Sequence, residues 1–417
     1  MNIGIVGGGA SGMFLASMLK KSKNVNVVLI ERNSKLGKKL LLTGNGKCNF
    51  TNDSFDKANN IYNNDFAYNI YNRHDKNELL TFMNDIGIVP KIEIHRNIKY
   101  YYPNSNKSTS VYYALLDRII ANEVEILYDT LVKDIKKCDE GFIISTNNGD
   151  LKFDNIVIAT GGSTYKNTGS DGNFYKVLDK LGHKIIKPLS ALCGFTYEDK
   201  DLLFLKGVRV DASVKALVYN NDDIEKETTE CGEIQFTPNG ISGIPVMNLS
   251  RIVNRCIDDG KRVDLSIDFS YVVQNGNELS LINYLNKRKD KLYYKETKDF
   301  LCGFIPDEIA YIIIKRCGIR AKLALELNDN ELKNIAREFT SFKISNIKIP
   351  SNDSAQITIG GVDTKEIDNQ SLESKIIKNM YIIGETLDVD GKCGGYNLQF
   401  AYSSAAVVAN KLKTVYR

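Results

Sequence analysis

Short runs of apolar residues near the N-terminus flank a segment with helical spacing. Residues 2–6, Asn-Ile-Gly-Ile-Val, predict a buried strand, and Val25 to Ile30 predict a second one. Between them lies a glycine turn, and then Met13 to Lys20 repeat apolar side chains at helical intervals. A unit of strand, turn, helix and strand is typical of a parallel sheet, so we predict an α/β fold.

The pattern changes to short strands between residues 124 and 158. A turn signal, Asn-Asn-Gly-Asp at 147–150, separates two of them. We predict a small antiparallel meander that returns to the parallel sheet at residues 156–162. The predicted strands are Val124–Leu127, Leu131–Ile135, Phe142–Ser145 and Ile156–Ala159.

The second half of the chain begins with more short strands and then becomes helical. From about Ala191 to Asp268 the pattern predicts a β-rich insertion. Helical spacing follows over residues 276–340, with Gly303 and Pro306 as breakers, and strand and turn signals return after Pro350. We therefore divide the chain into residues 1–190, a β-rich domain at 191–275, a helical subdomain at 276–345, and a return at 346–417.

Composition excludes several classes of protein. Of 417 residues, 43% are hydrophobic and 25% charged, and the formal net charge is only +4, so nucleic acid is not favoured as a partner. No apolar run reaches the roughly 18 residues of a membrane span, and no signal-peptide pattern precedes the first strand, so we expect no membrane and a cytoplasmic location. Eight cysteines without a Cys-x-x-Cys pair and three histidines predict neither a zinc site nor a disulfide framework.

The turn after the first strand carries a dinucleotide-binding pattern. Gly7 permits the bend, Gly9 lets the backbone approach a pyrophosphate, and Gly12 lets the helix pack closely on the strand. Glu31 ends the second strand roughly 20 residues later, where a carboxylate accepts hydrogen bonds from adenosine ribose. The strand before the turn, the helix after it and the acid together predict dinucleotide binding.

A second glycine-rich loop near the C-terminus favours FAD over NAD. Gly384 and Glu385 follow an apolar strand, and a helix is predicted to begin near Gly395 or Tyr396. The free N–H groups of that helix would point at the flavin N1/C2 edge and stabilise its reduced form by about 1–2 kcal/mol at most. The two loops can bind one ligand only across one fold, so the first and last segments are predicted to form one FAD-binding domain.

A third segment, residues 36–52, is rich in glycine, asparagine and lysine. Lys38, Lys39 and Lys47 could neutralise a pyrophosphate, while the backbone donors of the turn could line the flavin ring. A solvated basic loop is the alternative. Cys48 lies in this loop, but no second cysteine is near it in sequence, so a disulfide relay is not predicted.

These loops belong to a set of motifs along most of the chain. The most specific are Cys48-Asn-Phe-Thr-Asn52 and Gly394-Gly-Tyr-Asn-Leu-Gln399. In combination the motifs resemble the bacterial NAD(P)/FAD-dependent oxidoreductases of the aminoacetone oxidase and bile-acid dehydro-reductase type. The other motifs are Ile5-Val-Gly-Gly-Gly-Ala-Ser-Gly12, Ala159-Thr-Gly-Gly-Ser163, Thr168-Gly-Ser-Asp-Gly172, Gly232-Glu-Ile-Gln-Phe-Thr237, Ser242-Gly243, Ala355-Gln-Ile-Thr-Ile-Gly-Gly-Val362 and Gly384-Glu-Thr-Leu-Asp-Val-Asp-Gly391.

The resemblance implies a glutathione-reductase-like, Rossmann-type FAD domain, with the β-rich and helical segments inserted before the C-terminal return. It also implies that the backbone of Val132 meets the adenine and that the C-terminal loop contacts the flavin. The complete set of predicted cofactor-binding residues is Gly7, Gly9, Ala10, Ser11, Gly12, Glu31, Arg32, Lys38, Lys39, Thr43, Gly44, Cys48, Asn49, Val132, Thr160, Gly161, Gly162, Gly384, Glu385, Asp390, Gly395, Tyr396, Asn397 and Leu398.

Three positions depart from the pattern of the family. Pro238 replaces the histidine that usually follows Phe-Thr, and the next motif becomes Ser242-Gly-Ile-Pro245. Lys47 replaces an arginine, which keeps the charge but loses the bidentate fork. Because Pro238 cannot shuttle a proton, the substrate is expected to differ from that of the better-known relatives.

The leading functional hypothesis is a reductase that passes hydride through flavin N5 to a small organic substrate. Only one dinucleotide fingerprint is visible, since Gly360-Gly361 does not supply a second, so NAD(P)H would dock transiently as the electron donor. Tyr396, Tyr102 and Lys47 are candidate proton donors, and no catalytic residue is assigned. The substrate and the oligomeric state are not predicted.

Two alternatives stay open. One is an FAD-dependent amine oxidase, in which the substrate donates the electrons and oxygen accepts them. The other, from a different class, is a flavin-containing RNA-binding or RNA-modification partner, suggested by the lysines and tyrosines of residues 286–298. Acidic residues interrupt that run, which favours a solvated helix face instead.

Overall fold

The computed structural model describes residues 1–55, 57–272, 278–350 and 355–415. Its strands are β1 (Asn2–Val6), β2 (Asn26–Ile30), β3 (Thr51–Asn52), β4 (Pro90–His95), β5 (Ile98–Pro103), β6 (Glu125–Leu127), β7 (Val132–Cys138), β8 (Gly141–Thr146), β9 (Gly149–Phe153), β10 (Asn155–Ile158), β11 (Ile185–Ala191), β12 (Phe195–Thr196), β13 (Arg209–Asn220), β14 (Asp223–Thr237), β15 (Gly240–Gly243), β16 (Arg262–Asp268), β17 (Phe342–Ile344), β18 (Ile357–Val362) and β19 (Met380–Ile382).

The helices connect and cover these strands. They are α1 (Ala10–Met18), α2 (Asp65–Arg73), α3 (Lys76–Asp85), α4 (Ser108–Ala121), α5 (Tyr175–Lys180), α6 (Ile244–Asp258), α7 (Glu278–Lys291), α8 (Asp307–Arg316), α9 (Asp329–Thr340) and α10 (Tyr396–Val415). None of the helices within the described residues has both the length and the hydrophobicity needed to cross a membrane. The chain divides into two compact units, residues 1–190 with 356–417, and residues 191–355.

Strands from both ends of the chain form the parallel sheet of the first unit, in the order β19-β10-β1-β2-β6. Ile5 pairs with Leu29 on one side and with Val157 on the other, and these apolar side chains are buried. Strands that are buried on both faces have nearly continuous apolar sequences. For this reason β1, β2 and β10 could be predicted from the sequence. The predicted α/β fold with a parallel sheet is confirmed.

Helices α1 and α10 pack together beside this sheet. The rings of Phe14 and Tyr402 meet edge to face, with their centroids 5.6 Å apart. The first strand-helix unit and the last helix therefore share one hydrophobic core, although almost 400 residues separate them in sequence. This packing brings the loop after β1 and the loop before α10 to the same part of the unit.

The predicted antiparallel strands at 131–135 and 142–145 are confirmed as β7 and β8, with a turn between Thr146 and Gly149. The third strand of this meander, β9, was not predicted. The strand predicted at Val124–Leu127 is present as β6, but its place in the meander was wrong, because β6 joins the parallel sheet, where Glu125 pairs with Val28. Helix α4 precedes β6, and a strand that follows a crossover helix can pair parallel with a neighbour. A separate small sheet, β3-β5-β4, lies in the same unit.

The second unit contains an antiparallel sheet in the order β12-β15-β14-β13-β16-β17. The prediction of short strands was wrong for β13 and β14, which form one long hairpin from Arg209↔Gln235 to Asn220↔Asp223. The far part of this hairpin is exposed, so it lacks the apolar side chains that mark buried strands. Pro238 lies in the tight turn between β14 and β15.

Helix α6 was missed by the sequence analysis. Pro245 occupies its first turn, and Val246, Leu249 and Val253 are buried at helical spacing. Helices α7, α8 and α9 were predicted as a separate subdomain, and their apolar side chains share a hydrophobic core with those of the sheet. Phe269, directly after β16, packs edge to face on Phe339 of α9 and on Phe342 of β17.

Candidate functional site

The turn after β1 presents the N-terminus of α1 to open space. Gly7 has a φ of +106°, and a Cβ placed on Gly12 would lie 1.9 Å from the carbonyl oxygen of Gly7. A Cβ on Gly9 would meet no atom within 4 Å. The first N–H groups of a helix have no partner within the helix, so those of Ala10, Ser11 and Gly12 form a site suited to an anion.

Glu31, at the end of β2, is buried beside this turn. Its carboxylate accepts hydrogen bonds from the N–H of Gly8 at 2.9 Å and from the backbone and side-chain amides of Asn33 at 2.8 and 2.7 Å. These donors hold the acid in place. Glu31 therefore lies next to the first turn, and its predicted role at the ribose stays a prediction.

The side chain of Arg32, the residue after Glu31, forms an ion pair with Asp171. Its guanidinium pairs with Asp171 at 2.6 Å and donates to the carbonyl of Gly169 at 3.3 Å. Burial opposes the negative charge of Asp171, but the hydrogen bond from Arg32 and that from the Asn173 amide outweigh it and hold the pKa of Asp171 below its ordinary value. Asp171 was not among the predicted residues, although it lies in one of the motifs that carried the family resemblance.

A cavity of about 290 Å³ adjoins this ion pair. Thr160 and Gly161, at the end of β10, lie on one side of it, and Val132, at the start of β7, lies on another. The Thr160 hydroxyl is buried, and so is that of Ser170 beside Gly161; neither has a hydrogen-bond partner among the described residues. Unpaired buried hydroxyls beside a cavity indicate that a polar ligand belongs there. The cavity is lined by Arg32, Leu131, Val132, Lys133, Thr160, Gly161, Gly162, Gly169, Asp171, Gly172, Asn173, Phe174, Tyr175 and Val177.

Lys39 links the third segment to the C-terminal loop. Its ammonium group pairs with both carboxylate oxygens of Glu385, at 2.8 and 3.0 Å, and donates to Thr164 at 2.8 Å. Glu385 also accepts from the N–H of Thr358 at 2.7 Å. Lys38 donates to Asn33 at 2.9 Å. Both lysines thus have protein partners, and their predicted role at a pyrophosphate stays a prediction.

The loop of residues 40–49 is tightly folded. Gly44 has a φ of +56°, the Thr43 hydroxyl donates to the carbonyl of Leu40 at 2.6 Å, and the N–H of Cys48 donates to the carbonyl of Thr43 at 3.0 Å. Burial raises the pKa of the Cys48 thiol to about 12, so the thiol stays neutral and unreactive. The side-chain oxygen of Asn49 is buried and has no hydrogen-bond partner among the described residues.

The C-terminal loop meets both of the other segments. A Cβ on Gly384 would lie 2.5 Å from the Ser11 hydroxyl, and a Cβ on Gly395 would lie 2.8 Å from the side-chain oxygen of Asn49. The Asn397 amide exchanges two hydrogen bonds with the backbone of Gly391, at 2.8 and 2.9 Å. The convergence expected from sequence is therefore present, and the glycines allow it.

Other residues of this loop hold its shape. The N–H of Asp390 donates to the side chain of Asn63 at 3.0 Å, and Leu398 packs against the core of the unit. Helix α10 begins at Tyr396, as predicted. Its first N–H groups have no partner within the helix, and Gly395, directly before it, lies against the unpaired side-chain oxygen of Asn49. A flat polar ring system could be bound at this helix start.

The candidate proton donors differ in their surroundings. Tyr396 is only 4% exposed, and burial raises its pKa to about 12. Tyr102 is half-buried, and burial also raises its pKa. Lys47 is exposed on the loop before Cys48.

The described residues of the first unit fit an FAD. The open helix N-terminus suits a pyrophosphate, the cavity with unpaired hydroxyls suits an adenosine, and the glycine loop before α10 suits a flavin. The sequence analysis did not predict four residues that line these parts of the candidate site or hydrogen-bond to them: Thr164, Ser170, Tyr175 and Thr358. Ser170 and Thr358 lie in motifs that carried the family resemblance, whereas Thr164 and Tyr175 lie outside those motifs.

Comparisons with known proteins agree with this geometry. The family described as "HI0933-like protein Rossmann domain" matches residues 1–411. The 3-dehydro-bile acid delta(4,6)-reductase of Clostridium scindens is 32% identical over 406 residues, which cover 96% of each chain. The ribosomal RNA dihydrouridine synthase of Haemophilus influenzae is 26% identical over 417 residues, covering 97% of this chain and 96% of the relative.

Among solved structures, the 3-ketosteroid-delta4-(5alpha)-dehydrogenase of Rhodococcus jostii RHA1 aligns with a TM-score of 0.46 and 11% identity, covering 98% of this chain and 96% of that one. The family resemblance drawn from the motifs is confirmed by the family match and by the 32% identical relative. The chain therefore belongs to the HI0933-like Rossmann family of FAD-dependent oxidoreductases.

Proposed function

We propose that the protein is a reductase that uses FAD and NAD(P)H to saturate a carbon-carbon double bond conjugated to a carbonyl group in a small organic substrate. One observation carries the proposal: full-length similarity to relatives whose names describe that chemistry. A delta(4,6)-reductase of a 3-dehydro bile acid acts on double bonds conjugated to a ketone. A dihydrouridine synthase saturates the double bond that is conjugated to a uracil carbonyl.

In this proposal the first unit holds FAD. The N–H groups after Gly9 bind the pyrophosphate, Glu31 binds the ribose, the backbone of Val132 meets the adenine, and the N-terminus of α10 approaches the flavin. When bound, FAD supplies a hydride acceptor and donor at its N5 atom. The chain itself orients the cofactor and excludes water from it.

The mode of binding of the electron donor is inferred from the single dinucleotide fingerprint in the sequence. The one dinucleotide fingerprint is assigned to FAD, and Gly360 and Gly361 belong to strand β18. NAD(P)H would therefore bind only transiently, over the flavin. Localisation in the cytoplasm, where NAD(P)H is abundant, is part of the same proposal.

Anaerobic mixing with NADH and NADPH in separate experiments tests this function. We expect at least one donor to bleach the absorbance of the oxidised flavin within seconds. Persistence of the oxidised spectrum with both donors would contradict the reductase. If an amine then bleached the flavin and oxygen restored its colour, the amine-oxidase alternative would take its place.

RNA is a second candidate substrate because two relatives are named ribosomal RNA dihydrouridine synthases, the second from Escherichia coli at 25% identity over 412 residues. Within residues 286–298, Arg288 donates to the carbonyls of Phe300 and Cys302. Tyr293 and Tyr294 are 55% and 61% exposed. Exposed tyrosines near lysines can stack on unpaired bases.

Salt-dependent retention of RNA separates the two substrate classes. A protein that acts on RNA should retain ribosomal RNA fragments at low salt and release them as salt rises, because phosphate contacts release counterions. The absence of retention at low salt would remove the RNA candidate and leave the small-molecule reductase.

A further inference from the structure

The small sheet β3-β5-β4 carries a tyrosine toward the C-terminal loop. Tyr100 on β5 pairs with Asn52 on one side and with Glu93 on the other. Side chains directly opposite each other on neighbouring strands point to the same face of a sheet. Asn52, Glu93 and Tyr100 therefore share one face.

That face touches the loop before α10. A Cβ on Gly394 would lie 3.0 Å from the Tyr100 ring and 3.2 Å from the Tyr396 ring. The side-chain amide of Asn52 donates to the carbonyl of Gly394 at 2.7 Å. The ring of Tyr100 thus lies directly on the glycine loop that the proposed function assigns to the flavin end of the site.

The surroundings of Tyr100 differ from those of the other candidate donors. The Tyr396 hydroxyl is buried and hydrogen-bonds with Ser54 and Asn52. Tyr102 pairs across the strands with Lys91, two residues further along β5 than Tyr100. Tyr100 is half-buried, and its hydroxyl makes no hydrogen bond to any part of the chain that the structure describes. It is therefore available to a substrate.

Burial, more than any nearby charge, keeps the phenol of Tyr100 protonated. Burial raises its pKa, the nearby Cys393 thiol acts in the same direction, and Arg96 opposes them. The ring of His95 lies 5.8 Å from that of Tyr100, between ring centroids. A neutral phenol at neutral pH is a proton donor, which is the form that a general acid needs.

We propose that Tyr100 is the general acid of the reduction, a role that Pro238 cannot fill; this inference rests on the proposed function. A hydride from the reduced cofactor forms a C–H bond at the β carbon of the conjugated double bond. The π electrons move toward the carbonyl oxygen. The O–H bond of Tyr100 then breaks as a C–H bond forms at the α carbon, and the phenolate regains its proton from solvent.

The test uses the FAD-loaded protein reduced anaerobically with dithionite, so that it does not depend on the natural donor. Reoxidation of the flavin is followed after mixing with cyclohexenone, with a conjugated steroid ketone and with a uridine oligonucleotide. Tyr100→Phe is compared with wild type, with Tyr102→Phe as the rival donor and with Tyr101→Phe as the control. Tyr101 is the neighbour on the opposite face, where its hydroxyl donates to Asp53.

We expect Tyr100→Phe to slow reoxidation by the acceptor that works best by at least about 100-fold, which is the lower range for loss of a general acid. FAD affinity and the rate of flavin reduction by NAD(P)H should stay within about two-fold of wild type. If the role of Tyr100 were only structural, its replacement would lower these two quantities as well. Tyr101→Phe should reoxidise like wild type. If Tyr100→Phe binds FAD poorly, Tyr100→His, which keeps a proton donor, should reoxidise at least ten times faster than Tyr100→Phe.

Two kinds of result would overturn the assignment of Tyr100, and they differ in whether the proposed reductase function remains. Wild-type rates for Tyr100→Phe, or slowing confined to Tyr102→Phe, would remove Tyr100 and leave the reductase standing. Failure of all three acceptors to reoxidise the wild-type flavin would instead remove the proposed reduction, and the role of Tyr100 with it.

Discussion

Gly9 and Gly12 lie in the same turn but tolerate a side chain very differently. The space around Gly9 is open and its φ of −75° suits any residue, whereas a Cβ on Gly12 would collide with the backbone of Gly7. If the open space belongs to a pyrophosphate, a methyl group at Gly9 blocks the ligand without disturbing the fold.

We therefore predict that Gly9→Ala changes the free energy of unfolding of the FAD-free protein by less than about 1 kcal/mol. The same variant should weaken FAD binding at least about ten-fold, or roughly 1.4 kcal/mol. Gly12→Ala should reduce the yield of folded protein. Thermal unfolding and FAD titration measure these effects. Wild-type FAD affinity in Gly9→Ala would mean that the pyrophosphate does not bind at this turn.

Cys48 lies in the third segment, where the sequence predicted no disulfide relay. Its thiol is buried and its pKa lies near 12, against an ordinary value of 9.0. At pH 9 an ordinary thiol is half ionised, but Cys48 should remain protonated. We predict that iodoacetamide leaves Cys48 unlabelled in the native protein while it labels the exposed Cys138 and Cys231. Rapid native labelling of Cys48, detected by peptide mass spectrometry, would contradict its burial.

At the scale of elements, the Lys39–Glu385 pair joins the third segment to the C-terminal return. Both side chains are 22% exposed, whereas those of the Lys57–Asp65 pair, at a similar distance, are 65% and 72% exposed. Screening by water makes exposed pairs weak, while partly buried pairs with further hydrogen bonds are worth more.

A double-mutant cycle on the FAD-free protein tests this difference. Lys39→Met with Glu385→Gln should show a coupling free energy of about 1–3 kcal/mol. The matched cycle on Lys57 and Asp65 should give less than about 0.5 kcal/mol. Equal coupling in the two cycles, measured by urea unfolding, would mean that the Lys39 pair does not hold the segments together.

The elements that sequence predicted best are those whose signal is local. The first strand-turn-helix unit, the meander and the start of α10 depend on apolar runs and glycines that are adjacent in sequence. Helix α6 was hidden because its buried face, Val246, Leu249 and Val253, lies between strands with turn signals. The exposed end of the β13-β14 hairpin carries charged residues, so its length could not be read from hydrophobicity.

The same distinction applies to the candidate site. The glycine loops were predictable because glycine adopts positive φ angles and permits close approaches most readily, although Asn45 and Cys48 of the third segment also have positive φ angles. The position of Tyr100 on Gly394, and that of Thr358 on Glu385, depend on packing between segments more than 20 residues apart. No local pattern marks Tyr100, and the motif of residues 355–362 that contains Thr358 does not reveal its partner, so both contacts required the structure.

At the scale of the whole molecule, the proposed FAD ligands all belong to the first unit. FAD should therefore slow hydrogen exchange at residues 7–12, 44–49 and 384–398. Exchange in residues 215–230 of the β13-β14 hairpin should not change and serves as the internal reference. Protection by FAD that is absent from residues 7–12, measured by mass spectrometry, would contradict the proposed site.

Family membership follows from the family match over residues 1–411 and from the 32% identical relative. The substrate class is proposed from the names of the relatives, and the role of Tyr100 is inferred on that basis. Pro238 lies in a hairpin turn of the second unit and cannot donate a proton. A reductase with this sequence therefore needs its acid elsewhere.

One sequential anaerobic mixing experiment tests the central claim most directly. The FAD-loaded protein is mixed first with NADH or NADPH and then with a conjugated ketone, while the absorbance of oxidised flavin is recorded. The account predicts that the absorbance falls with the donor, returns with the ketone in the absence of oxygen, and yields one saturated product per flavin. Absorbance that stays unchanged with both donors, or that returns only when oxygen is admitted, would contradict it.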